Sequence, residues 1–352
     1  MSLKIVENIS LAELTTMKIG GTARYFTEIT SSLQLPEVFD WASKRSLPFL
    51  ILGGGSNTIF DNGTFKGIVI RIDIKGFEIL EDDNTHSTIK VGAGEDWDKT
   101  VRRTVDMGLA GMEALSGIPG KTGAAPYQNI GAYGQEIKNT IESVEVYDLQ
   151  DKGIKNLSNS ECQFGYRDSI FKSSQKGRYI ITAVIFKLSK EPAAIPDYKD
   201  VHLYFEKNNI PNPNVEQIRK AILEIRKNKF VDPSVMPNSG SFFKNPEVSR
   251  AIADKLLAEF PEVKPYPQDN KIFPLENGNY KIAAGWIIQE LGFKGKDYDK
   301  VRVDPNHALV LENKDGATQQ DLLKLVREIQ TAAKQKFGIE LEPEPIIIDF
   351  GF

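Results

Sequence analysis

A long glycine-rich stretch in the first half of the chain constrains the fold more than any other feature of the sequence. Residues 116–134 read SGIPGKTGAAPYQNIGAYG and show neither helical nor strand periodicity. A non-periodic segment of this length inside a folded chain is usually either functional or disordered. Its few charges and the aromatic residues Tyr127 and Tyr133 argue against disorder. We expect its backbone groups to line a flat polar ring such as a flavin isoalloxazine; the alternative is a structural crossover loop.

The size and charge of the chain exclude several classes of protein. Its 352 residues are enough for two or three domains, and a net charge of −4 argues against a general nucleic-acid-binding protein. The single cysteine, Cys162, excludes an internal disulfide framework, and dispersed histidines make a zinc site an unfavourable interpretation. We therefore expect a cytoplasmic protein with no metal, no signal peptide, no membrane span and no nucleic-acid partner.

The hydrophobic pattern predicts a mixed α+β chain. Apolar runs predict strands at 48–52, 66–72, 88–91, 141–148, 179–188, 308–311 and 346–348, the first of them buried. Helical spacing and end signals predict helices at about 96–107, 201–207, 214–229, 247–260, 283–292 and 319–337. We place a domain boundary after Lys229, before Phe230-Val231-Asp232-Pro233.

A run of glycines follows the first of these predicted strands. In Gly53-Gly54-Gly55-Ser56-Asn57 the backbone N–H groups can converge on an anion, because no side chain blocks its approach. The run therefore indicates a phosphate or diphosphate site, and a flexible turn is the alternative.

Two standard nucleotide motifs are incomplete. Gly120-Lys121-Thr122 resembles the end of a P-loop, but Leu115 occupies the position of the first glycine. Gly92-Ala93-Gly94 resembles a dinucleotide fingerprint, but Trp97 stands in place of its third glycine. We therefore expect neither a Walker site nor a Rossmann domain.

Three polar residues are candidates for chemistry. Arg167, in Phe164-Gly165-Tyr166-Arg167-Asp168-Ser169, could bind a carboxylate or phosphate, or form a surface ion pair. Ser241 lies between glycine and two phenylalanines and has no neighbouring histidine; it could donate a proton, or cap a turn. Glu344, held extended by the prolines of Glu342-Pro343-Glu344-Pro345, is a candidate acid or part of a solvated connector.

Together these segments resemble one enzyme family. The resemblance rests on residues 17–23, 53–57, 117–134, 166–169, 240–246, 308–311 and 341–344, in this order. The chain is similar to UDP-N-acetylenolpyruvoylglucosamine reductases, the flavoenzymes that complete UDP-N-acetylmuramate in cell-wall peptidoglycan synthesis. Within that family it resembles the form with a mobile tyrosine loop. The likeness covers nearly the whole chain.

The resemblance implies a fold and a cofactor. The fold is an α+β, vanillyl-alcohol-oxidase-like FAD-binding fold of two subdomains, plus a C-terminal α+β substrate domain. The first subdomain is implied to contain residues 1–72, with residues 343–352 returning to it. The second subdomain is implied to contain residues 73–230, including a loop at 190–213. The substrate domain is implied to contain residues 231–342. FAD is expected to bind non-covalently. The residues implied to contact it are Gly53, Gly54, Gly55, Ser56, Asn57, Gly123, Ala124, Ala125, Pro126, Asn129, Ile130 and Gly131.

The resemblance also implies a reaction. NADPH gives a hydride to the flavin, which reduces the enolpyruvyl ether of UDP-N-acetylglucosamine-enolpyruvate. Arg167 and Glu344, the latter as a neutral acid, would stabilise the enolate-like species, and Ser241 would donate the final proton. The implied substrate contacts are Tyr166, Tyr198, Lys229, Asn245 and His307. The resemblance leads us to expect a monomer.

The sequence departs from the family pattern at three places. His307 stands where the family can have glutamine, Lys121 is unusual in the flavin segment, and residues 297–303 lack the expected glycines. Two other functions stay open. One is an FAD-linked alcohol oxidase or dehydrogenase of the same wider fold, and the other is a nucleotide-binding regulatory module without turnover.

Overall fold

The computed structural model describes residues 3–351, which divide into two compact units. The first unit contains residues 3–9, 23–55 and 64–226, and the second contains residues 10–22, 56–63 and 227–351.

Within the described range the strands and helices have the following bounds. The strands are β1 Ile5–Ser10, β2 Thr22–Ile29, β3 Phe49–Leu52, β4 Thr58–Phe60, β5 Thr64–Ile72, β6 Phe77–Asp82, β7 His86–Gly92, β8 Gly131–Ala132, β9 Gln135–Glu136, β10 Ile141–Asp148, β11 Gly153–Ser158, β12 Tyr179–Ser189, β13 Asn238–Ser241, β14 Glu247–Val248, β15 Ile272–Pro274, β16 Tyr280–Ile282, β17 Asp297–Tyr298, β18 Val301–Val303, β19 Val310–Asn313 and β20 Ile346–Ile348. The α-helices are α1 Leu35–Ser43, α2 Trp97–Asp106, α3 Lys199–Lys207, α4 Val215–Lys229, α5 Arg250–Glu259, α6 Ala284–Glu290 and α7 Gln319–Phe337.

The first unit is built on two larger sheets. One has the strand order β1-β2-β5-β3, with β3 and β5 parallel, and the other has the order β11-β10-β12-β7-β6, with antiparallel neighbours. Strand β12 is apolar along most of its length because it pairs on both edges and lies in the core. A large hydrophobic cluster includes residues of both sheets and of α1 and α2, among them Trp97 and Phe186.

Helices α3 and α4 form a second cluster in this unit with part of the glycine-rich segment. Its buried members are Ala114, Tyr133, Val201, Phe205, Ile218, Ala221, Ile222 and Ile225. Helix α4 begins as the sequence predicts, because Asn214 and Gln217 cap its N-terminus reciprocally: the Gln217 N–H donates to Asn214 Oδ1 and the Asn214 N–H donates to Gln217 Oε1.

The second unit has its own core. Its sheets have the orders β13-β19-β18-β17, β14-β16-β15 and β20-β4. Helices α5, α6 and α7 pack on them through an apolar cluster that includes Phe242, Phe243 and Trp286. Helix α7 starts at a Thr318–Asp321 capping box and stops at Gly338, whose φ is +71°.

Each predicted strand and helix has a counterpart in the structure, but α1 and many of the short strands have no counterpart among the predictions, and three predictions are wrong in detail. Strand β3 was expected to be buried; it lies at a sheet edge and leaves Ile51 exposed. The helix expected from residue 247 begins at Arg250, because residues 247–248 pair with β16. The strand expected at 308–311 is β19, Val310–Asn313, because the preceding residues form a turn in which the Val310 N–H donates to His307 O.

Cys162 is a buried free thiol in the first unit, and burial raises its pKa to about 12. Among residues 3–351 no helix is long and apolar enough to cross a membrane. No group of three or more His, Cys, Asp or Glu side chains in that part of the chain is arranged to hold a metal ion.

Candidate active site

The glycine-rich segment is held in place by the end of β7 and the start of α2. The Gly123 N–H donates to Ala93 O at 2.9 Å and the Thr122 N–H donates to Glu95 O at 2.8 Å. The Trp97 N–H donates to Gly120 O at 3.0 Å. The segment is therefore an ordered part of the unit, which agrees with the interpretation that it is not disordered.

The glycine turn after β3 lies against this segment. A Cβ placed on Gly54 would be 3.2 Å from Gly120 Cα, and one placed on Gly53 would be 3.9 Å from Ala124 Cβ. Gly55 has a φ of +66°, which favours glycine. The structure thus brings two of the predicted cofactor-binding segments together within the first unit.

The space around these glycines shows whether the residues suit a dinucleotide cofactor. A Cβ on Gly123 would be 2.6 Å from Ala93 Cβ, so only glycine allows this approach of the two segments. Around Gly53–Gly55 the chain offers backbone and little side chain, which is the surface that a diphosphate needs. The residues present therefore fit FAD, and the predicted contacts Gly53–Gly55 and Gly123–Ala125 lie near one another in the first unit.

Asn129, another predicted flavin contact, has a structural task. It is fully buried with a φ of +45°. Its Nδ2 donates to Gly165 O at 2.8 Å and its Oδ1 accepts from the Lys138 N–H at 3.1 Å. The side chain therefore fixes the local turn.

Arg167 is tied to the same turn. Its Nη2 donates to Gly131 O at 2.6 Å, and its own φ is +54°. A Cβ on Gly131 would lie 2.9 Å from both Arg167 Nη1 and Gln135 O, so glycine leaves room for the guanidinium and this carbonyl. The guanidinium also lies over the ring of Tyr166, 5.6 Å from its centroid. The structure thus places a predicted catalytic arginine beside the predicted flavin segment.

The predicted tyrosine loop packs on the end of the glycine-rich segment. The rings of Tyr198 and Tyr133 are edge to face with centroids 5.3 Å apart. A Cβ on Gly134 would lie 2.9 Å from Asp197 O, so the loop approaches the segment at backbone distance.

In the second unit, Asn57 is joined to the Glu344 segment. Asn57 Nδ2 donates to Glu344 O at 3.3 Å, and the Ile346 N–H donates to Asn57 O at 2.9 Å. Thr16 Oγ1 donates to Ser56 O at 3.3 Å. The Ser56–Asn57 end of the predicted diphosphate loop is therefore held by backbone contacts near Glu344.

The Ser241 and Glu344 segments run side by side. The Glu344 N–H donates to Phe242 O at 2.8 Å, and the Lys244 N–H donates to Glu342 O at 2.9 Å. Phe242 is fully buried in the core of the second unit. Segments that are about a hundred positions apart in the sequence thus become neighbours, joined by an isolated antiparallel bridge between Phe243 and Pro343.

His307 and Lys229 form a second group of predicted substrate residues. The His307 ring stacks on Phe230, with centroids 4.7 Å apart and an interplanar angle of 26°. Burial and the nearby charge of Lys229 lower the pKa of His307 to about 4. The Leu309 N–H donates to His307 Nδ1 at 3.3 Å, so the neutral ring carries its proton on Nε2.

Asn245, the last predicted substrate residue, accepts the Ala284 N–H at 3.0 Å through its Oδ1. This hydrogen bond caps the start of α6 and fixes the orientation of the amide.

Comparison with known proteins defines the family. Residues 232–348 match the family model "UDP-N-acetylenolpyruvoylglucosamine reductase, C-terminal domain", and residues 23–156 match the model "FAD binding domain". The UDP-N-acetylenolpyruvoylglucosamine reductases of Bdellovibrio bacteriovorus and Amoebophilus asiaticus are 38% and 40% identical to this chain. Each alignment covers 98% of this chain, and 99% and 100% of those proteins respectively. The chain belongs to the UDP-N-acetylenolpyruvoylglucosamine reductase family.

A solved structure supports the fold of this family member. The crystal structure of the UDP-N-acetylenolpyruvylglucosamine reductase of Thermus caldophilus superposes with a TM-score of 0.68 at 23% identity, covering 99% of this chain and 100% of that chain. The predicted combination of a vanillyl-alcohol-oxidase-like FAD-binding fold and a C-terminal domain of this reductase family is confirmed.

An ion pair that the sequence does not predict ties α4 to the glycine-rich segment. Arg219 Nη1 and Nη2 donate to the two carboxylate oxygens of Asp98 at 2.7 Å each, and the Gly117 N–H donates to Asp98 Oδ1 at 2.6 Å. A signal existed, because Arg219 follows Ile218 on the apolar face of a helix, where a charged side chain needs a buried partner. The identity of that partner, 121 positions away, could not be predicted.

Proposed function

We propose that this FAD-dependent oxidoreductase reduces UDP-N-acetylglucosamine-enolpyruvate to UDP-N-acetylmuramate with NADPH, and so serves peptidoglycan synthesis. Family membership over 98% of the chain is the observation that carries the proposal. The neighbouring Ser241 and Glu344 segments, and the arginine beside the glycine-rich segment, support it.

The proposed mechanism gives Arg167 and Glu344 one shared task, the stabilisation of negative charge, and gives Ser241 another. Bound FAD supplies hydride chemistry between NADPH and the enol ether. Arg167, held by Gly131 O, stabilises the negative charge that develops next to the substrate carboxylate. Glu344 stabilises the same charge, on a segment whose backbone is fixed by Phe242 O and Asn57 Nδ2. Preorganised groups of this kind need little rearrangement during the reaction.

Ser241 is proposed to donate the final proton to carbon. A serine hydroxyl is a weak acid, but a carbon that has just received a hydride next to it is strongly basic, so the serine needs no histidine partner. Phe242 and Phe243, the two residues that follow Ser241, are buried, and exclusion of water from a reaction site favours delivery of the proton from the protein.

The remaining contacts are proposals of the same kind. Tyr166, Tyr198, Lys229, Asn245 and His307 are proposed to bind the substrate. The cofactor is proposed to contact residues 53–57, 123–126 and 129–131. The chain is proposed to divide into domains at about residues 72, 230 and 342. We propose that the protein acts as a monomer in the cytoplasm, where UDP-linked substrates and NADPH are found.

A Ser241→Ala variant tests the function and the role of the serine together. Anaerobic NADPH should still bleach the flavin at the wild-type rate, because that step does not need the hydroxyl. Reoxidation by the enolpyruvyl substrate should slow by about 10²- to 10⁴-fold, the usual contribution of a positioned proton donor.

Stopped-flow absorbance of both half-reactions provides the measurement, and Ser239→Ala, two residues away on the same strand, is the matched control. Unchanged reoxidation in Ser241→Ala would remove the serine from its role. A wild-type protein that NADPH does not bleach would contradict the proposed function itself.

A further inference from the structure

Lys121 lies in the glycine-rich segment and its side chain runs along the Gly53–Gly54 turn. A Cβ on Gly54 would be 3.4 Å from Lys121 Cγ, and a Cβ on Gly53 would be 3.9 Å from Lys121 Cβ. The stem of the lysine is therefore in van der Waals range of the backbone that is proposed to hold the FAD diphosphate.

The ammonium group of Lys121 has a distant counter-ion. Its Nζ is 3.8 Å from Asp73 Oδ1, whereas Lys75 Nζ is 2.7 Å from the same oxygen. Lys75 also donates to Gly94 O, so it has two close acceptors. Although burial acts against it, the hydrogen bond to Asp73 raises the pKa of Lys75 above its ordinary value.

Lys121 is in the opposite situation. Only 25% of its side chain is exposed, and burial together with the charge of Lys75 lowers its pKa below the ordinary value. Two other nearby acids have hydrogen bonds of their own: Asp96 accepts from the Lys99 N–H at 3.1 Å and Glu95 accepts from the Gly76 N–H at 2.9 Å. A partly buried cation beside a glycine turn, with its nearest carboxylate shared, is suited to an incoming anion.

We propose that Lys121 is a cationic contact to the diphosphate of FAD at the Gly53–Gly55 turn. The proposal rests on the proposed flavoenzyme function. Backbone N–H groups give a diphosphate hydrogen bonds but no net charge, and FAD brings two negative charges to this turn. Lys121 supplies a positive charge that can approach them as a point charge on a flexible stem.

The test is the affinity of the purified holoenzyme for FAD as a function of salt. Dilution followed by ultrafiltration, with the fluorescence of released FAD as readout, gives the dissociation constant at several KCl concentrations. In Lys121→Gln the dissociation constant should rise by about tenfold or more at low salt, the scale of a charge-assisted hydrogen bond. Its dependence on KCl should also become weaker, because one ionic contact is lost.

Two further variants make the result specific. Lys121→Arg keeps the charge and should restore much of the affinity and the salt dependence. Lys99→Gln removes one exposed charge from the first turn of α2 and should change neither. Circular dichroism checks that each variant is folded.

The outcomes separate the two proposals. Equal dissociation constants for the wild type and Lys121→Gln would overturn the role of Lys121 and leave the function intact. Weaker binding with an unchanged salt dependence would also overturn it, because a merely structural lysine would give that result. A wild-type protein that holds no FAD would contradict the proposed function.

Discussion

The neutral imidazole of His307 has a consequence for stability that can be measured. Its pKa is about 4 in the folded protein, against an ordinary value of 6.5, because the ring is buried and close to Lys229. Between these two values the unfolded chain binds a proton that the folded chain does not. The free energy of unfolding should therefore fall as the pH falls from about 6.5 towards 4.

A His307→Gln variant isolates this contribution because glutamine does not titrate. Urea titrations at a series of fixed pH values give the free energy of unfolding of both proteins. As the pH falls through this window, the wild type should lose more stability than the variant. Parallel stability profiles for the two proteins would contradict the lowered pKa.

At the residue scale, the sequence marks close-packed glycine turns better than long-range partners. Gly53–Gly55 stands out because a glycine run after a strand has few structural uses, and the structure places it against Gly120–Ala124. The pairing of Arg219 with Asp98 has no local signal, because nothing near either residue in the sequence specifies the other. The stacking of His307 on Phe230 is hidden for the same reason.

At the scale of elements, the contact between the glycine-rich segment and the end of β7 leaves no room for a side chain. In Gly123→Ala the new methyl group would be 2.6 Å from Ala93 Cβ and 3.1 Å from Ala93 Cα. Backbone must shift to accommodate it, so we expect a loss of about 1–3 kcal/mol in the free energy of unfolding. Urea titration followed by circular dichroism provides the measurement.

The matched control for this contact is Gly153→Ala at the start of β11. There the nearest atom to a new Cβ is Asp151 O at 3.8 Å, an ordinary contact. The control should be near neutral. A Gly123→Ala protein as stable as the control would show that the two segments can separate without cost.

Element boundaries follow from the sequence where the signal is local. Helix α7 has a capping box at one end and a left-handed glycine at the other, and its observed bounds equal the predicted ones. Strand β3 shows the limit of local signals. An apolar run such as that of β3 is found in both central and edge strands, so it does not predict the position of the strand. The sheet order β1-β2-β5-β3 places β3 at the edge.

At the scale of the whole molecule, each unit has a core of its own. The tryptophans of a unit allow its unfolding to be followed by fluorescence. Trp41 and Trp97 belong to the first unit, and Trp286 belongs to the second. A Trp286→Phe variant therefore leaves fluorescence from the first unit alone. This arrangement allows the effect of the cofactor on that unit to be followed separately.

We expect FAD to stabilise the first unit by mass action. With free FAD at about one hundred times its dissociation constant, the gain should be about 2.7 kcal/mol, seen as a higher urea midpoint of tryptophan fluorescence in Trp286→Phe. The midpoint should keep rising with FAD concentration. Riboflavin, which has no diphosphate, is the control and should give a smaller shift, and a midpoint that ignores FAD would contradict the placement of the cofactor.

The fold class could be predicted from the sequence because a family pattern is spread along nearly the whole chain. Two failed nucleotide motifs already pointed away from a Rossmann domain, and the structure shows mixed sheets in its place. The three-part domain organisation stays a prediction. Composition and periodicity do not specify which non-contiguous segments pack together, such as residues 10–22 and 56–63 in the second unit.

The state of Cys162 makes the protein convenient for spectroscopy. This thiol is the only cysteine in the sequence, and it is buried with a pKa of about 12, so it stays unreactive towards maleimides near neutral pH. A second cysteine introduced at the exposed Leu203 of α3 would then be the single labelling position. A dye attached there would report on the tyrosine loop while the native Cys162 stays in place.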